Sequence, residues 1–125
     1  MSLRSPLGHA RGLGSAKEGV QHFWAQRLTA VALVPLTLWF VFSIAQISAA
    51  SYTGVIHWVR TPTVAVTLVL FLTALLYHSA LGVQVVIEDY VHHEGVKLAS
   101  LVLMKFAHIA VAVASIFAVL KVALT

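Results

Sequence analysis

His78 is the residue of this chain whose setting most suggests chemistry, because it is ionisable and lies deep within an apolar run. In a helix its neighbours four residues away would be Ala74 and Gly82, which places the imidazole on a stripe of small residues. A flat ligand can lie against such a stripe, and a neutral imidazole bound to haem iron is one interpretation. The other is close helix packing with an interhelical hydrogen bond. The spacing alone favours neither.

A second polar group follows where the same run ends. Asp89 comes eleven residues after His78, close to three helical turns, so the two share nearly the same face. The helix dipole disfavours acids at a C-terminus, which favours a function over a solvated helix end. A carboxylate beside the Tyr90 phenol at a membrane boundary suits a quinone site, where reduction consumes protons. We expect His92 and His93 to be loop residues.

Three further polar side chains leave alternatives open. His108 lies at a depth similar to that of His78 in an antiparallel hairpin, which permits a haem held by both histidines of this chain. Lys105 shares the face of His108 and is more typical of a polar seam against another subunit. Arg27 begins the first apolar run, where it either reaches lipid phosphates or pairs with a haem propionate or a partner carboxylate.

The composition requires a membrane environment. Of 125 residues, 60% are apolar and only 10% are charged, with a mean hydropathy of +0.94, whereas soluble domains carry about 25% charged residues. The absence of cysteine excludes disulfides and Cys-ligated zinc or iron–sulfur clusters from this chain. The net charge of +4 comes from basic residues concentrated before the first apolar run, so it reports topology and we expect no nucleic-acid partner.

Three apolar runs are long enough to cross a bilayer, which takes roughly 20 residues. Backbone groups in lipid must pair within their own segment, so each run should be a helix. We predict an all-α integral membrane protein, a bundle of three transmembrane helices at about 26–50, 62–90 and 97–122. Residues 1–21 are predicted to form a cytoplasmic arm, and residues 22–125 the membrane anchor domain. Pro35 should bend the first helix.

Basic residues predict the orientation. Most of them precede the first helix or lie in the second loop, namely Arg4, Arg11, Lys17, Arg27 and Lys97. The positive-inside rule therefore places the N-terminus and the 88–97 loop in the cytoplasm, and the C-terminus in the periplasm. A cleaved signal peptide ending near Ser48–Ala50 is the alternative for the first run, but that run is longer than the usual 7–15-residue apolar region.

Two stretches resemble a known family. The segment His78-Ser-Ala-Leu-Gly82-Val-Gln84-Val-Val-Ile-Glu-Asp89-Tyr90-Val resembles the His-x₃-Gly-x-Gln…Asp-Tyr-Val signature of the succinate dehydrogenase membrane anchors. The segment Gly14-Ser-Ala-Lys-Glu-Gly-Val-Gln-His-Phe-Trp-Ala-Gln-Arg27-Leu-Thr-Ala is similar to the alphaproteobacterial form of that family. The resemblance extends from about Gly12 to the end of the chain and includes the three-helix plan.

This resemblance implies a subunit that is not catalytic on its own, in the respiratory complex that transfers electrons from succinate to ubiquinone in the bacterial inner membrane. Its partners would be a second membrane anchor (a cytochrome b556 subunit), an iron–sulfur subunit, a flavoprotein subunit and lipid. His78 would be an axial ligand of haem b, with the second ligand from the partner anchor, Gly82 packing against the haem and Arg27 near its propionates. Tyr90 would donate a hydrogen bond to ubiquinone, with Asp89 beside it on the proton path.

Two other classes of membrane protein also fit the sequence. One is the cytochrome b anchor of another quinone-linked complex, such as a fumarate reductase. The other is a non-redox packing subunit, in which His78 and Lys105 only bridge helices. A haem absorption band would distinguish the redox classes from the packing subunit.

Overall fold

The computed structural model describes residues 6–10, 17–47 and 50–125, all helix apart from short connections. Three of the helices are long and apolar enough to cross a membrane, which confirms the predicted all-α fold with three spans. The orientation of the termini stays a prediction. In chain order the helices are α1 (Pro6–Ala10), α2 (Lys17–Ile47), α3 (Tyr52–Arg60), α4 (Pro62–Tyr90) and α5 (Glu94–Leu124).

Helix α4 is the centre of the bundle, because it packs against both α2 and α5. In its most apolar window 22% of the residues are buried, whereas the corresponding windows of α2 and α5 contain none. Phe71 of α4 stacks on Phe40 of α2 with ring centroids 4.9 Å apart. Farther along, Thr29 of α2 contacts His78 of α4, so the two helices run antiparallel. This register decides which α2 side chains face His78.

The ends of α4 follow from local chemistry. Thr61 has extended dihedrals, φ −66° and ψ 120°, as expected for a residue before proline, and Pro62 then occupies the first turn. Beyond the C-terminal end of α4, His93 caps the start of α5, and its Nδ1 accepts a hydrogen bond from the Val96 N–H at 3.4 Å. His92 and His93 lie in the short connection to α5, which confirms that they are loop residues. So short a connection makes α4 and α5 antiparallel neighbours.

Helix α3 lies between the first and second predicted spans. Ser51 begins it as N-cap, with its hydroxyl accepting from the Gly54 N–H at 3.3 Å. The helix packs against α4 and α5, and Trp58 stacks on Trp39 of α2 at 6.0 Å between centroids. Nine residues are too few to span a bilayer, so a search for long apolar runs passes over it.

Helix α2 begins at Lys17 and ends at Ile47, so it starts well before the expected position near residue 26. Part of the proposed arm is therefore helical, and the division of the chain at residue 21 stays a prediction. The helix continues through Pro35, which removes one hydrogen-bond donor from its ladder. The early start places residues 19–26 beside the C-terminal half of α4.

Candidate functional site: a groove around His78

His78 lies on the face of α4 that meets α2, and its side chain is half-buried. Its Nδ1 atom is 2.9 Å from Oγ1 of Thr29. The same hydroxyl is 2.7 Å from the carbonyl oxygen of Ala25 and 3.1 Å from that of Gln26. No described residue forms a hydrogen bond with Nε2 of His78. One imidazole nitrogen is therefore held by α2, and the other is available to a ligand.

Two grooves between α2 and α4 meet at His78. The first, which we call the polar groove, has a volume of about 560 Å³ and includes His22, Gln26 and Arg27 in its lining. The second, the apolar groove, has a volume of about 420 Å³ and is lined mostly by aliphatic side chains such as Leu33. A flat ligand with an apolar body and charged substituents matches this pair of surfaces.

The polar groove contains two buried polar atoms without a partner among the described residues, Nε2 of His22 and Oε1 of Gln26. Leaving such an atom unpaired costs about 1–3 kcal/mol. Both atoms lie on α2 beside the predicted site residues Arg27 and His78. Their placement fits a groove that receives a ligand or partner with polar groups.

Gly82 lies in the polar groove one turn after His78. A Cβ atom added there would be 3.8 Å from Nε2 of Gln26, an ordinary van der Waals distance. The packing of α2 on α4 would therefore accept alanine at this position. The contacts within this chain do not explain the glycine, so close approach of a ligand stays the prediction for its role.

Arg27 lies in the polar groove on the exposed side of α2. Its guanidinium carbon is 5.1 Å from the centroid of the Phe23 ring, a cation–π distance. The ring supports the side chain from one side, and no described residue accepts a hydrogen bond from the guanidinium N–H groups, which can face an anionic group. This position suits the predicted contact with a propionate.

Asp89 and Tyr90 form a separate group at the end of α4. Both are exposed, and 77% of the Tyr90 surface is accessible, so its hydroxyl is open to a ligand. Tyr90 comes twelve residues after His78, which corresponds to about 18 Å along the helix axis. Nearby, Gln84 donates a hydrogen bond to Glu88 at 2.8 Å. The predicted residues thus divide into a groove group (His78, Gly82, Arg27) and a helix-end group (Asp89, Tyr90).

His108 forms its hydrogen bonds at the interface between α4 and α5, away from the grooves around His78. Its Nδ1 is 2.9 Å from the carbonyl oxygen of Met104, and its Nε2 is 3.2 Å from Oγ of Ser79. Because a carbonyl only accepts, Nδ1 donates and Nε2 accepts from the serine hydroxyl. A haem held between His78 and His108 has no support in this arrangement. His108 and the exposed Lys105 belong to the α5 side of the bundle.

Three α2 residues around the groove were not identified as site residues from the sequence. They are His22, Gln26 and Thr29. They are spaced i, i+4 and i+7, the pattern of one helix face. That signal was present, but a helix expected to begin near residue 26 leaves His22 outside it.

Across the described ranges, no group of three or more His, Asp or Glu side chains is placed to hold a metal ion. A haem does not need such a cluster, since the porphyrin supplies four of the iron ligands and the protein adds one on each face. The free Nε2 of His78 would provide one of these two. The donor set of this chain therefore fits half of a haem site.

Known proteins resemble this chain over nearly its whole length. A family model described as succinate dehydrogenase/fumarate reductase transmembrane subunit matches residues 1–120. Proteins called succinate dehydrogenase hydrophobic membrane anchor subunit are similar: that of Rickettsia bellii is 33% identical over 94% of both chains, and that of Paracoccus denitrificans 32% identical over 99% of this chain and 95% of its own. A succinate dehydrogenase membrane anchor subunit of Reclinomonas americana is 33% identical over 71% of this chain and 77% of its own. No solved structure matches the chain.

These matches cover nearly the whole chain and include its three candidate spans. They confirm the predicted localisation as a multi-pass protein of the bacterial inner membrane. They also confirm the resemblance to the succinate dehydrogenase membrane anchors. The chain belongs to the succinate dehydrogenase/fumarate reductase transmembrane subunit family.

Proposed function

We propose that this membrane anchor helps to bind haem b and ubiquinone in succinate:ubiquinone oxidoreductase and docks the soluble subunits to the membrane. The observation that carries the haem assignment is the free Nε2 of His78 at the junction of the polar and apolar grooves. The relatives named above favour the succinate dehydrogenase branch of the family over the fumarate reductase branch.

Three residues of this chain hold the haem in this proposal. His78 would bind the iron through Nε2, Arg27 would pair with a propionate, and Gly82 would leave space for the macrocycle beside α4. Haem b bound there would accept and release one electron at a time. The apolar groove would offer aliphatic side chains to the macrocycle on that side of His78.

Tyr90 and Asp89 bind and serve the quinone in this proposal. The exposed Tyr90 hydroxyl donates a hydrogen bond to a quinone carbonyl, which stabilises the negative charge that grows on that oxygen during reduction. Asp89, also exposed at the end of α4, passes protons from water. Their position at a helix end gives the quinone access to both the bilayer and the water that supplies those protons.

The partners follow from what this chain lacks and exposes. It contains no cysteine, so the iron–sulfur clusters that deliver electrons would lie in another subunit. The flavin would lie in a separate flavoprotein subunit. Since His78 would supply only one protein ligand to the iron, a second membrane anchor would provide the other. The positive-inside rule puts the Tyr90 end in the cytoplasm, where the flavoprotein and iron–sulfur subunits dock.

Purification of the complex through an affinity tag on this chain tests the proposal. We expect a flavoprotein, an iron–sulfur protein and a second small membrane protein to co-purify, with a b-type haem band that succinate reduces and with ubiquinone reductase activity. A complex without any porphyrin would contradict the haem assignment and favour the packing subunit. Fumarate reduction by a low-potential quinol in place of ubiquinone reduction would favour the fumarate reductase class.

A further inference from the structure

We infer that Thr29 of α2 is a positioning residue for His78, selecting its tautomer and strengthening the nitrogen that faces the ligand as an electron donor to iron. The inference rests on the proposed role of His78 as a haem ligand. It concerns a contact between two helices, 49 positions apart in the chain, with Thr29 Oγ1 and His78 Nδ1 separated by 2.9 Å.

The direction of this hydrogen bond follows from the number of protons available. The Thr29 hydroxyl carries one proton, and its oxygen lies 2.7 Å from the Ala25 carbonyl oxygen. A carbonyl has no proton to give, so at that distance the hydroxyl donates to Ala25. The threonine oxygen is left as an acceptor towards His78, and Nδ1 of His78 must donate. The ring is therefore the Nδ1–H tautomer, with its lone pair on Nε2.

This tautomer is the one that an iron ligand in the groove requires. Nε2 has no hydrogen-bond partner among the described residues. A histidine that donates its other ring N–H to an acceptor has a fixed ring orientation and a more basic ligating nitrogen. Thr29 supplies that acceptor, and the carbonyl of Ala25 in turn fixes the threonine hydroxyl.

In His108 a different set of hydrogen bonds leaves neither ring nitrogen free for a ligand. Its Nδ1 donates to the Met104 carbonyl oxygen, as in the tautomer of His78, but its Nε2 is 3.2 Å from the Ser79 hydroxyl. Both ring nitrogens are then used within the bundle. The two histidines differ in whether a hydroxyl lies at Nε2: that of Ser79 does so in His108, whereas that of Thr29 lies at Nδ1 of His78.

The test compares Thr29→Val and Thr29→Ser in the complete complex. Valine keeps nearly the same shape and removes the acceptor, whereas serine keeps the hydroxyl. Thr73→Val is the matched control, because Thr73 is exposed on α4 and its hydroxyl bonds only to the Val69 carbonyl of its own helix. The readouts are the haem midpoint potential by redox titration and the low-spin electron paramagnetic resonance signal.

We expect Thr29→Val to raise the haem potential and alter the low-spin signal, because a less basic imidazole stabilises ferric iron less. Thr29→Ser and Thr73→Val should behave as the wild type. Loss of haem in Thr29→Val but not in Thr29→Ser would also support the inference. An unchanged potential in Thr29→Val, or an equal shift in Thr29→Ser, would overturn it while the haem role of His78 stood. Haem retained unaltered in His78→Ala would overturn the proposed function itself.

Discussion

At the level of single residues, His78 and His108 differ in which ring nitrogens are engaged. Both lie in the interior of an apolar span, and hydropathy does not distinguish them. The Thr29 hydroxyl engages one nitrogen of His78, while Met104 and Ser79 engage both nitrogens of His108. A ligand needs a free lone pair, so the contacts support the proposed ligand role of His78 and favour a packing role for His108.

Tyr90→Phe tests the quinone role of the phenol. The substitution removes one hydrogen bond to an oxygen that becomes negatively charged, so we expect succinate-to-ubiquinone turnover to fall about tenfold or more. Succinate-to-dye turnover, which bypasses the quinone, should be unchanged. Tyr52→Phe is a matched control, because Tyr52 is 82% exposed at the start of α3, at the other end of α4. Equal quinone turnover in Tyr90→Phe and the wild type would remove Tyr90 from the site.

At the level of helices, α4 carries different contacts on two faces. One face presents His78 to Thr29 of α2, and the other presents Ser79 to His108 of α5. Because neighbouring residues on a helix point about 100° apart, two consecutive positions serve two separate interfaces. The grooves around His78 and the interface between α4 and α5, which we call the α4–α5 seam, can therefore be perturbed independently.

His108→Ala tests the packing role of the seam. It removes the bonds to Ser79 and Met104, so we expect the complex to lose about 2 kcal/mol of stability, seen as a lower midpoint of thermal disassembly. His57→Ala serves as control, since His57 is exposed on α3. A seam role predicts that the haem band keeps its position and intensity. Unchanged thermal disassembly in His108→Ala would show that the seam bonds are not stabilising.

The three spans were predictable because an apolar run of about 20 residues has few alternatives to a membrane helix. Helix α3 was not, because nine residues carry no comparable signal. The early start of α2 was also missed, since its first turns lack apolar periodicity and are made helical by continuity with the span. This error hid the contribution of His22 to the groove.

Site residues on α4 were easier to anticipate than their partners on α2. His78, Gly82, Asp89 and Tyr90 share one helix, so their spacing can be read along a single segment. The contact with Thr29 depends on how α2 is placed against α4, and hydropathy alone does not determine that register. The bonding of His108 depends in the same way on the α4–α5 packing.

At the level of the whole molecule, the chain buries very little of itself. The buried hydrophobic side chains among the described residues are Ala65, Leu68, Phe71, Leu81 and Met104. Large apolar side chains on α2 and α5 are exposed instead, among them Phe42, 65% exposed, and Phe117, 66% exposed. Such surfaces are stable only against lipid or another subunit. This agrees with a subunit whose haem site is completed by a second anchor.

Single-cysteine labelling tests the orientation, and the absence of native cysteine gives it a clean background. His92→Cys places a thiol in the exposed α4–α5 connection, and Thr53→Cys places one on the exposed side of α3. With the predicted topology, a membrane-impermeant maleimide labels Thr53→Cys in spheroplasts and His92→Cys in inverted vesicles. The reverse pattern would place the Tyr90 end in the periplasm and contradict the proposed docking side.

The most direct test of the central claim is the reduced-minus-oxidised absorption spectrum of the purified complex carrying His78→Ala, recorded beside His108→Ala. If Nε2 of His78 is an axial ligand, the low-spin b-type band is lost in His78→Ala and retained in His108→Ala. A wild-type spectrum in His78→Ala would contradict the account and return the α2–α4 groove to a packing role.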